Sequence, residues 1–269
     1  MLELYHHGSS VCAAKVRLTL AEKGLDWKSH YIDILKGEQF DPAYMRINPK
    51  AVVPTLIHDG HTIVESTVIC EYIDEVFPQN PLKPASAPGR AEMRLWTKAV
   101  DEALHPMCAE ITFSASHRHT VARLGPDGVA KFLASTPPMS VTPAWHDRMK
   151  VIVTQGFQAP GIEKAFLFYD GFLQKMEERL RTFPWLAGAC FSLADIALTP
   201  YVTRLDMLSM SEMWTKRRPH LTEWFERIKA RPTFKPALLD WCPPDLTAEF
   251  LTFGRQSWPS VERLLAQTS

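Results

Sequence analysis

The sequence predicts a two-domain protein in which a small α/β domain precedes an all-helical domain. Strand and helix signals alternate up to residue 78, four prolines crowd residues 78–89, and only helical periodicity follows. We therefore place the α/β domain at 1–78, a linker at 79–89 and the helical domain at 90–269. A chain of 269 residues is long enough to bury a core in each domain.

The first domain is predicted to follow the order β-α-β-α-β-β-α. Apolar residues recur at helical spacing after a break at residues 8–10, and residues 59–61 carry a hairpin signal. A β-α-β unit with a closing hairpin indicates a mixed sheet with helices on its faces. The predicted strands are 2–5, 27–34, 55–58 and 62–64, and the predicted helices are 11–23, 39–47 and a third from Ser66 onward.

The second domain is predicted to be helical throughout. Its long first helix covers about 90–119, and a capping box formed by Ser192 and Asp195 opens a later helix. Glycines and prolines interrupt residues 124–145, so we expect an irregular excursion there. The other predicted helices are 161–181 and 219–229. The residues expected to face inward on the long helix are Met93, Trp96, Val100, Leu104, Met107 and Ile111.

Composition argues against several classes of function. Thirty basic residues balance thirty acidic ones, so no strong field attracts nucleic acid or an anionic membrane. The N-terminus lacks the features of a signal peptide, and no apolar stretch reaches membrane-spanning length. Five scattered cysteines argue against a disulfide framework, and the histidine pairs lack a third metal ligand. We expect a cytoplasmic protein with no metal and no nucleic-acid or membrane partner.

Two features of the first domain favour a peptide-like anionic ligand. Ser9, Ser10 and Cys12 lie where a helix begins and free N–H groups present positive potential, although either serine is also a natural helix cap. Val53-Pro54 begins a strand. A cis bond there presents the Val53 backbone to an extended peptide, whereas a trans bond only starts an edge strand.

A third feature lies at Glu65-Ser66, where the last helix of this domain begins. Ser66 is a natural N-cap without a capping-box acid three residues later, so the helix end is open to an external carboxylate. Glu65 can pair with an ammonium group. Together they suit the end group of an α-amino acid, whereas the simpler alternative is a capped helix beside a solvated glutamate.

These features resemble the cytosolic glutathione S-transferases. Residues Val53-Pro54 and Glu65-Ser66, in a β-α-β-α-β-β-α domain, are similar to the thioredoxin-like domain of that family. The resemblance implies glutathione as co-substrate, no metal, and a homodimer. It implies that Val53, beside Pro54, binds the cysteinyl backbone of glutathione and that Glu65 and Ser66 bind its γ-glutamyl group. Looser candidates for its glycyl carboxylate are Lys36, Gln39 and Lys50.

The resemblance leaves three candidates for the residue that activates the thiol: Ser10, then Ser9, then Cys12. Ser10 overlays a serine of zeta-type enzymes, Ser9 the serine of delta- and theta-type enzymes, and Cys12 stands near the cysteine of beta-type enzymes. Lowering a thiol pKa of about 8.5 by about two units takes roughly 2.7 kcal/mol. A hydroxyl bonded to the thiolate (about 1.5–3 kcal/mol) and a helix N-terminus (about 0.3–1 kcal/mol) therefore suffice.

A narrower resemblance is to the bacterial glutathione-dependent β-etherases. It is carried by residues 59–60, 64–72 and 90–98, whereas the loop at 8–12 differs. It implies attack of a glutathione thiolate on a hydrophobic electrophile such as an aryl ether. The alternatives are an isomerase, dehalogenase or peroxidase, or a non-catalytic binding protein on the same scaffold. We expect the second substrate between the domains, under a lid of Trp145 and Phe157. The expected wall is His105, Met107, Cys108, Ile111, Phe113 and His117.

Overall fold

The computed structural model describes residues 1–134 and 143–266, and only the backbone of 143–146. Its first domain has the predicted order of elements. They are β1 (Leu2–His6), α1 (Val11–Glu22), β2 (Lys28–Tyr31), α2 (Pro42–Met45), β3 (Thr55–His58), β4 (His61–Val64) and α3 (Ser66–Val76). The sheet order is β2-β1-β3-β4, with β1 parallel to β2 and antiparallel to β3, and β3 antiparallel to β4. This is the predicted thioredoxin-like arrangement.

The described part of the second domain contains only helical elements and their connections, as predicted. Its α-helices are α4 (Ala87–Ala99), α5 (His105–Thr112), α6 (Arg118–Ala122), α7 (Gly125–Ala134), α8 (Pro143–Gln155), α9 (Glu163–Thr182), α10 (Leu193–Met207), α11 (Glu212–Thr215), α12 (Pro219–Lys229) and α13 (Pro244–Ala266).

Helix α1 lies between the two domains. It packs against α3 of the first domain and against α10 of the second. Lys15 and Arg17, in the middle of α1, are each only 1% exposed. Charged residues are rarely buried unless they are paired or hydrogen-bonded, and Lys15 Nζ accordingly lies 3.0 Å from Asp101 Oδ1. The start of α1 is therefore fixed from both domains.

The long helix predicted at 90–119 is present, but it is not a uniform α-helix. The chain stays helical from Ala87 to Ala122, with π-helical turns at Val100–Leu104 and Phe113–His117. The predicted inward residues Met93, Trp96, Val100, Leu104 and Ile111 are buried, whereas Met107 is only partly buried and Cys108 is buried beside it. A π turn contains one more residue than an α-helical turn, so the sequence positions that face inward are shifted after it.

The excursion predicted to be irregular is largely helical in its described part. Residues 124–145 contain α7 and the first residues of α8. Gly125 and Pro126 do not break a helix, because they stand in the first turn of α7, where proline needs no N–H partner.

Two helix starts also differ from the predicted ones. Helix α4 begins at Ala87, inside the predicted linker, because Ser86 caps it by accepting the Gly89 N–H and Pro88 occupies its first turn. At α3 the N-cap position is held by Glu65 rather than Ser66, and it makes no side-chain capping bond.

The predicted capping box is confirmed at the start of α10. Ser192 caps the helix and its own N–H donates to Asp195 Oδ2 at 3.0 Å. The other carboxylate oxygen of Asp195 accepts the Leu186 N–H and the Trp224 Nε1–H, both at 3.0 Å. Burial raises the pKa of Asp195 to about 6, against these hydrogen bonds, which lower it. Asp195 thus joins three segments of the helical domain.

We expect Asp195→Ala to lower the free energy of unfolding by about 3 kcal/mol, because it leaves several buried donors without an acceptor. Asp195→Asn keeps one carbonyl oxygen and should cost less. The exposed Asp26→Ala is the control and should stay within about 0.5 kcal/mol of the wild type. Urea unfolding measures all three; equal losses in the Ala and Asn variants contradict the hydrogen-bonding role.

Candidate active site

The loop between β1 and α1 brings the predicted thiol-activating residues to one end of α1. Ser10 is the N-cap of α1, and its Oγ accepts the Ala13 N–H at 3.1 Å. This bond uses a lone pair of the oxygen, so the hydroxyl proton stays free to donate. Ser10 is also partly exposed. Its hydroxyl therefore suits donation to an anion at the helix end.

Ser9 faces the interior instead. It is 5% exposed, and its Oγ lies 3.0 Å from His7 Nδ1 and 3.4 Å from His117 Nε2. Its N–H donates to the same Nδ1 of His7 at 3.2 Å. Burial lowers the pKa of His7 to about 4 and that of His117 well below its usual value, so both imidazoles are neutral at pH 7. The Ser9 hydroxyl is thus enclosed between two neutral rings.

The buried guanidinium of Arg17 binds the backbone of this loop through hydrogen bonds. The guanidinium donates to the carbonyls of His7 at 3.0 Å and Gly8 at 3.2 Å, and its Nε donates to Ala237 O at 2.8 Å. Burial lowers the pKa of Arg17 to about 10, so the group still carries its proton at neutral pH. One buried cation therefore ties the loop to a segment 220 residues away.

A second buried arginine binds the next carbonyl of the loop. Arg204 of α10 is 4% exposed and donates from Nη2 to Ser9 O. Within residues 1–134 and 143–266, neither Arg204 nor Arg17 has a carboxylate within ion-pair distance. Two cations without carboxylate partners thus lie on the protein side of the loop at the start of α1. Their field adds to the positive potential of the helix end.

Gly8 allows the C-terminal part of the chain to cross this loop. A Cβ atom at Gly8 would lie 2.0 Å from Trp241 O, a distance that no real side chain reaches. Gly8 does not have positive φ, so here glycine serves close approach and not an unusual backbone conformation. Together with the bond from Arg17 to Ala237, this contact fixes the loop against residues 237–241.

Cys12 lies in the first turn of α1 and faces the helical domain. Its Sγ is 3.5 Å from His105 Nδ1 and 3.7 Å from Tyr201 Oη, and these two groups lie 3.1 Å from each other. Burial would raise the pKa of Cys12, but the charge and hydrogen bond of His105, the charge of Lys15 and the hydroxyl of Tyr201 lower it to about 6. The Cys12 thiolate in turn raises the pKa of His105, against burial.

The Val53–Pro54 peptide bond is cis, which is one of the two alternatives that the sequence leaves open. The loop before it is anchored on Val52 O, which accepts the Tyr44 hydroxyl at 2.6 Å and the Asn48 Nδ2–H at 3.0 Å. In the described part of the chain, the N–H and C=O of Val53 have no hydrogen-bond partner. The backbone of Val53, a buried residue, is thus unpaired next to an anchored carbonyl.

Glu65 has an unusual backbone conformation at the start of α3. Its φ is 67°, a value that is uncommon for residues other than glycine. Such backbone conformations occur at functional sites more often than elsewhere. The Glu65 side chain is exposed and lies 2.5 Å from Lys50 Nζ. Because Glu65 makes no capping bond, the first N–H groups of α3 are not satisfied by an N-cap side chain.

Comparison with known proteins identifies the family. The glutathione S-transferase N-terminal domain matches residues 9–76 and the C-terminal domain of the same family matches residues 169–227. Protein LigF of a Sphingobium species is 32% identical over 239 residues, which cover 87% of this chain and 91% of LigF. The chain belongs to the glutathione S-transferase family.

The relatives of this chain differ in their chemistry. The crystal structure of the β-etherase LigF from Sphingobium has a TM-score of 0.78 and 31% identity, covering 88% of this chain and 98% of that one. The tetrachloro-p-hydroquinone reductive dehalogenase of Sphingobium chlorophenolicum is 27% identical over 242 residues, 88% of this chain and 95% of the relative. The family is therefore clear, and its members catalyse more than one kind of reaction.

The predicted candidates for the glycyl carboxylate have other contacts in this chain. Lys36 is exposed and pairs with Asp33 at 3.0 Å, and Lys50 pairs with Glu65. Gln39 is 7% exposed and donates to a backbone carbonyl, while its Oε1 is buried without a partner. Of these three residues, only Gln39 has a buried side-chain oxygen without a partner. This oxygen can accept a hydrogen bond but cannot donate one to a carboxylate.

The structure places the members of the predicted substrate wall in different environments. His105 reaches Cys12 and His117 reaches Ser9, so both lie at the start of α1. Cys108 and Ile111, at 2% and 0% exposure, belong to the helical core and offer no open surface. Phe113 is partly buried, with its ring edge-on to His117 at 5.2 Å.

Phe157, predicted as part of a lid, is partly buried and packs against the core, where its ring stacks on that of Phe166 with 5.6 Å between the centroids. The side chain of Trp145 lies outside the described residues. No helix in the described part of the chain combines the length and apolar character needed to cross a membrane. Within the same residues, no three His, Cys, Asp or Glu side chains cluster as ligands for a metal ion.

Several contributors to the site were not predicted. Arg204 and Tyr201 lie on α10, where the sequence shows only a capped apolar helix. Tyr44 and Asn48, which anchor the loop before Pro54, lie in a segment predicted only as a helix and its end. The signal that points to such a role is an arginine inside a helix that is mostly apolar between its capping box and its last turn.

We expect Gly8→Ala to lower the free energy of unfolding by about 1–3 kcal/mol, because its Cβ has to displace the backbone at Trp241. Gly171→Ala, in α9 with open space around its Cα, is the matched control and should be neutral or stabilising by up to about 1 kcal/mol. Thermal melting compares the two variants. Equal melting temperatures for them contradict the close approach.

Proposed function

We propose that this transferase binds glutathione across the starts of α1 and α3 and activates its thiol through a hydrogen bond from Ser10. The observation that carries the proposal is the start of α1, where a partly exposed hydroxyl with a free proton caps a helix. Ser9 is enclosed between two imidazoles, and Cys12 is engaged with His105. Ser10 is therefore the preferred candidate of the three.

The electrostatics behind the loop favour the ionised form of a bound thiol. Arg17 and Arg204 lie on the protein side of the loop with their charges uncompensated by carboxylates in the described residues. Both are fixed by hydrogen bonds to loop carbonyls, so they need not reorganise when a thiolate forms. They add to the hydroxyl hydrogen bond and the helix N-terminus, which together are already sufficient to lower a thiol pKa by about two units.

The other parts of glutathione match the remaining open groups. The unpaired N–H and C=O of Val53 suit an antiparallel pair of bonds with the cysteinyl backbone. The uncapped start of α3 at Ser66 suits the carboxylate of the γ-glutamyl group, and Glu65 suits its ammonium. In this proposal the ammonium takes the place that Lys50 holds beside Glu65.

We further propose that the electrophile is a β-aryl ether. The support is the likeness to LigF, which extends over 91% of that protein and is stronger than the likeness to the dehalogenase. In this reaction the sulfur of the thiolate bonds to the β-carbon, the carbon–oxygen bond breaks, and a phenolate leaves with the electron pair. The substrate lies against the helical domain near His105.

We expect Ser10→Ala to raise the pH at which bound glutathione ionises by about one to two units, which corresponds to the loss of about 1.5–3 kcal/mol. Thiolate absorbance of the complex measures the midpoint, and calorimetry checks that glutathione still binds. Ser10→Thr keeps both the hydroxyl and the helix cap and is the matched control. An unchanged midpoint in the Ala variant removes Ser10 from this role, and no heat of binding to the wild type removes the proposal.

Comparison of electrophiles tests the choice of substrate. We expect glutathione-dependent release of a phenol from a model β-aryl ether with a kcat/KM at least about ten-fold above that for a chlorinated hydroquinone, a maleyl compound or a hydroperoxide, a difference of about 1.4 kcal/mol in the barrier. Faster turnover of one of the other three assigns the transferase to dehalogenation, isomerisation or peroxide reduction. No turnover of any, with glutathione bound, indicates a binding protein.

A further inference from the structure

We propose that a cavity between the loop at residues 8–11 and helix α10 binds a monovalent inorganic anion of halide size. Its volume is about 20 Å³, counted as the space that the centre of a water molecule can occupy. On this measure one water needs roughly 10–15 Å³, so the cavity holds one or two species of that size. Its polar walls include Ser9 and Ser10 of the loop, Arg17 of α1, and Thr203 and Arg204 of α10.

Two buried polar groups of α10 have no hydrogen-bond partner within residues 1–134 and 143–266. They are the Nε of Arg204 and the hydroxyl of Thr203, and both residues are 4% exposed and line the cavity. The rest of the Arg204 guanidinium is engaged, because Nη2 donates to Ser9 O and the group lies 4.3 Å from the centroid of the Phe250 ring. A buried donor without an acceptor is unfavourable. One acceptor in the cavity satisfies both groups.

The charges around the cavity favour an anion over a water molecule as this acceptor. Arg17 and Arg204 are both part of its wall, and no carboxylate of the described residues neutralises either one. Cys242 also lines the cavity, but burial raises its pKa, so at pH 7 it is a neutral thiol. Water can accept the two hydrogen bonds but leaves both buried charges uncompensated, whereas an anion does both. The adjacent start of α1 also favours negative charge.

The cavity is separate from the proposed glutathione site. Neither Val53 nor Glu65 lines it, and its volume is too small for a tripeptide. Chloride and bromide are only slightly larger than water, whereas phosphate and sulfate carry four oxygens and exceed the space. The wall also includes Met207, which is partly exposed, and Leu239, which is 37% exposed, so a small ion has a short path from solvent.

Anomalous scattering from crystals of the full-length protein, grown with sodium bromide in place of chloride, locates the ion. We expect one peak in the cavity, within hydrogen-bonding reach of Thr203 Oγ1 and Arg204 Nε. Density there without an anomalous signal is that of water and overturns the proposal.

Thermal melting tests the same site in solution, with sodium bromide replacing sodium gluconate at constant ionic strength so that screening does not change. The wild-type melting temperature should rise with bromide, because an ion that binds only the folded state stabilises it. Thr203→Val removes one donor and should weaken bromide binding at least about ten-fold. In gluconate, whose anion is too large for the cavity, this variant should melt no lower than the wild type, because the hydroxyl it removes is buried without a partner.

Thr199→Val, on the same helix, is the matched control. Its buried hydroxyl donates to Asp195 O at 2.8 Å, so the variant should melt lower in both salts and keep the wild-type dependence on bromide. Equal bromide dependence in the wild type and Thr203→Val overturns the proposal. A crystal peak without any bromide dependence in solution means binding at crystal concentration only and also overturns it. Glutathione is absent from both measurements, so neither outcome depends on the proposed function.

Discussion

The start of α1 depends on two buried guanidinium groups that bind backbone carbonyls in place of carboxylates. Burying a cation is costly unless its donors are satisfied, and Arg17 satisfies three of them on His7, Gly8 and Ala237. The same bonds make the loop and a distant C-terminal segment one rigid unit. Because no carboxylate of the described residues neutralises Arg17 or Arg204, the charge that fixes the loop also remains available to act on an anion in front of it.

Three nucleophilic or hydroxyl side chains within four residues have different environments because a helix begins among them. Ser9 precedes the helix and is enclosed with His7 and His117. Ser10 is the N-cap, so its oxygen faces the free N–H groups and the open end. Cys12 is already helical and faces the second domain. Sequence spacing alone leaves these three residues equivalent, whereas the position of the helix start gives each a separate chemistry.

Much of the first domain could be predicted because its signals are local. The order of its elements and the hairpin at residues 59–61 follow from patterns a few residues long, and so does the capping box at Asp195 in the second domain. Arg204 could not be placed, because its role depends on a contact with Ser9 across 195 residues. The helix Gly125–Ala134 was mispredicted as part of an irregular excursion, since Gly125-Pro126 has the composition of a break but the position of a helix start.

The π-helical turns explain why a regular helical pattern could not identify the two histidines as partners of α1. His105 and His117 are twelve residues apart, which on a uniform α-helix places them about 120° apart, since each residue turns by about 100°. The π turn at Phe113–His117 takes up an extra residue. About eleven α-helical steps then separate the two histidines, so their side chains point about 20° apart around the helix axis. One imidazole then meets Cys12 and the other Ser9, so the extra residue in the helix brings both rings to the start of α1.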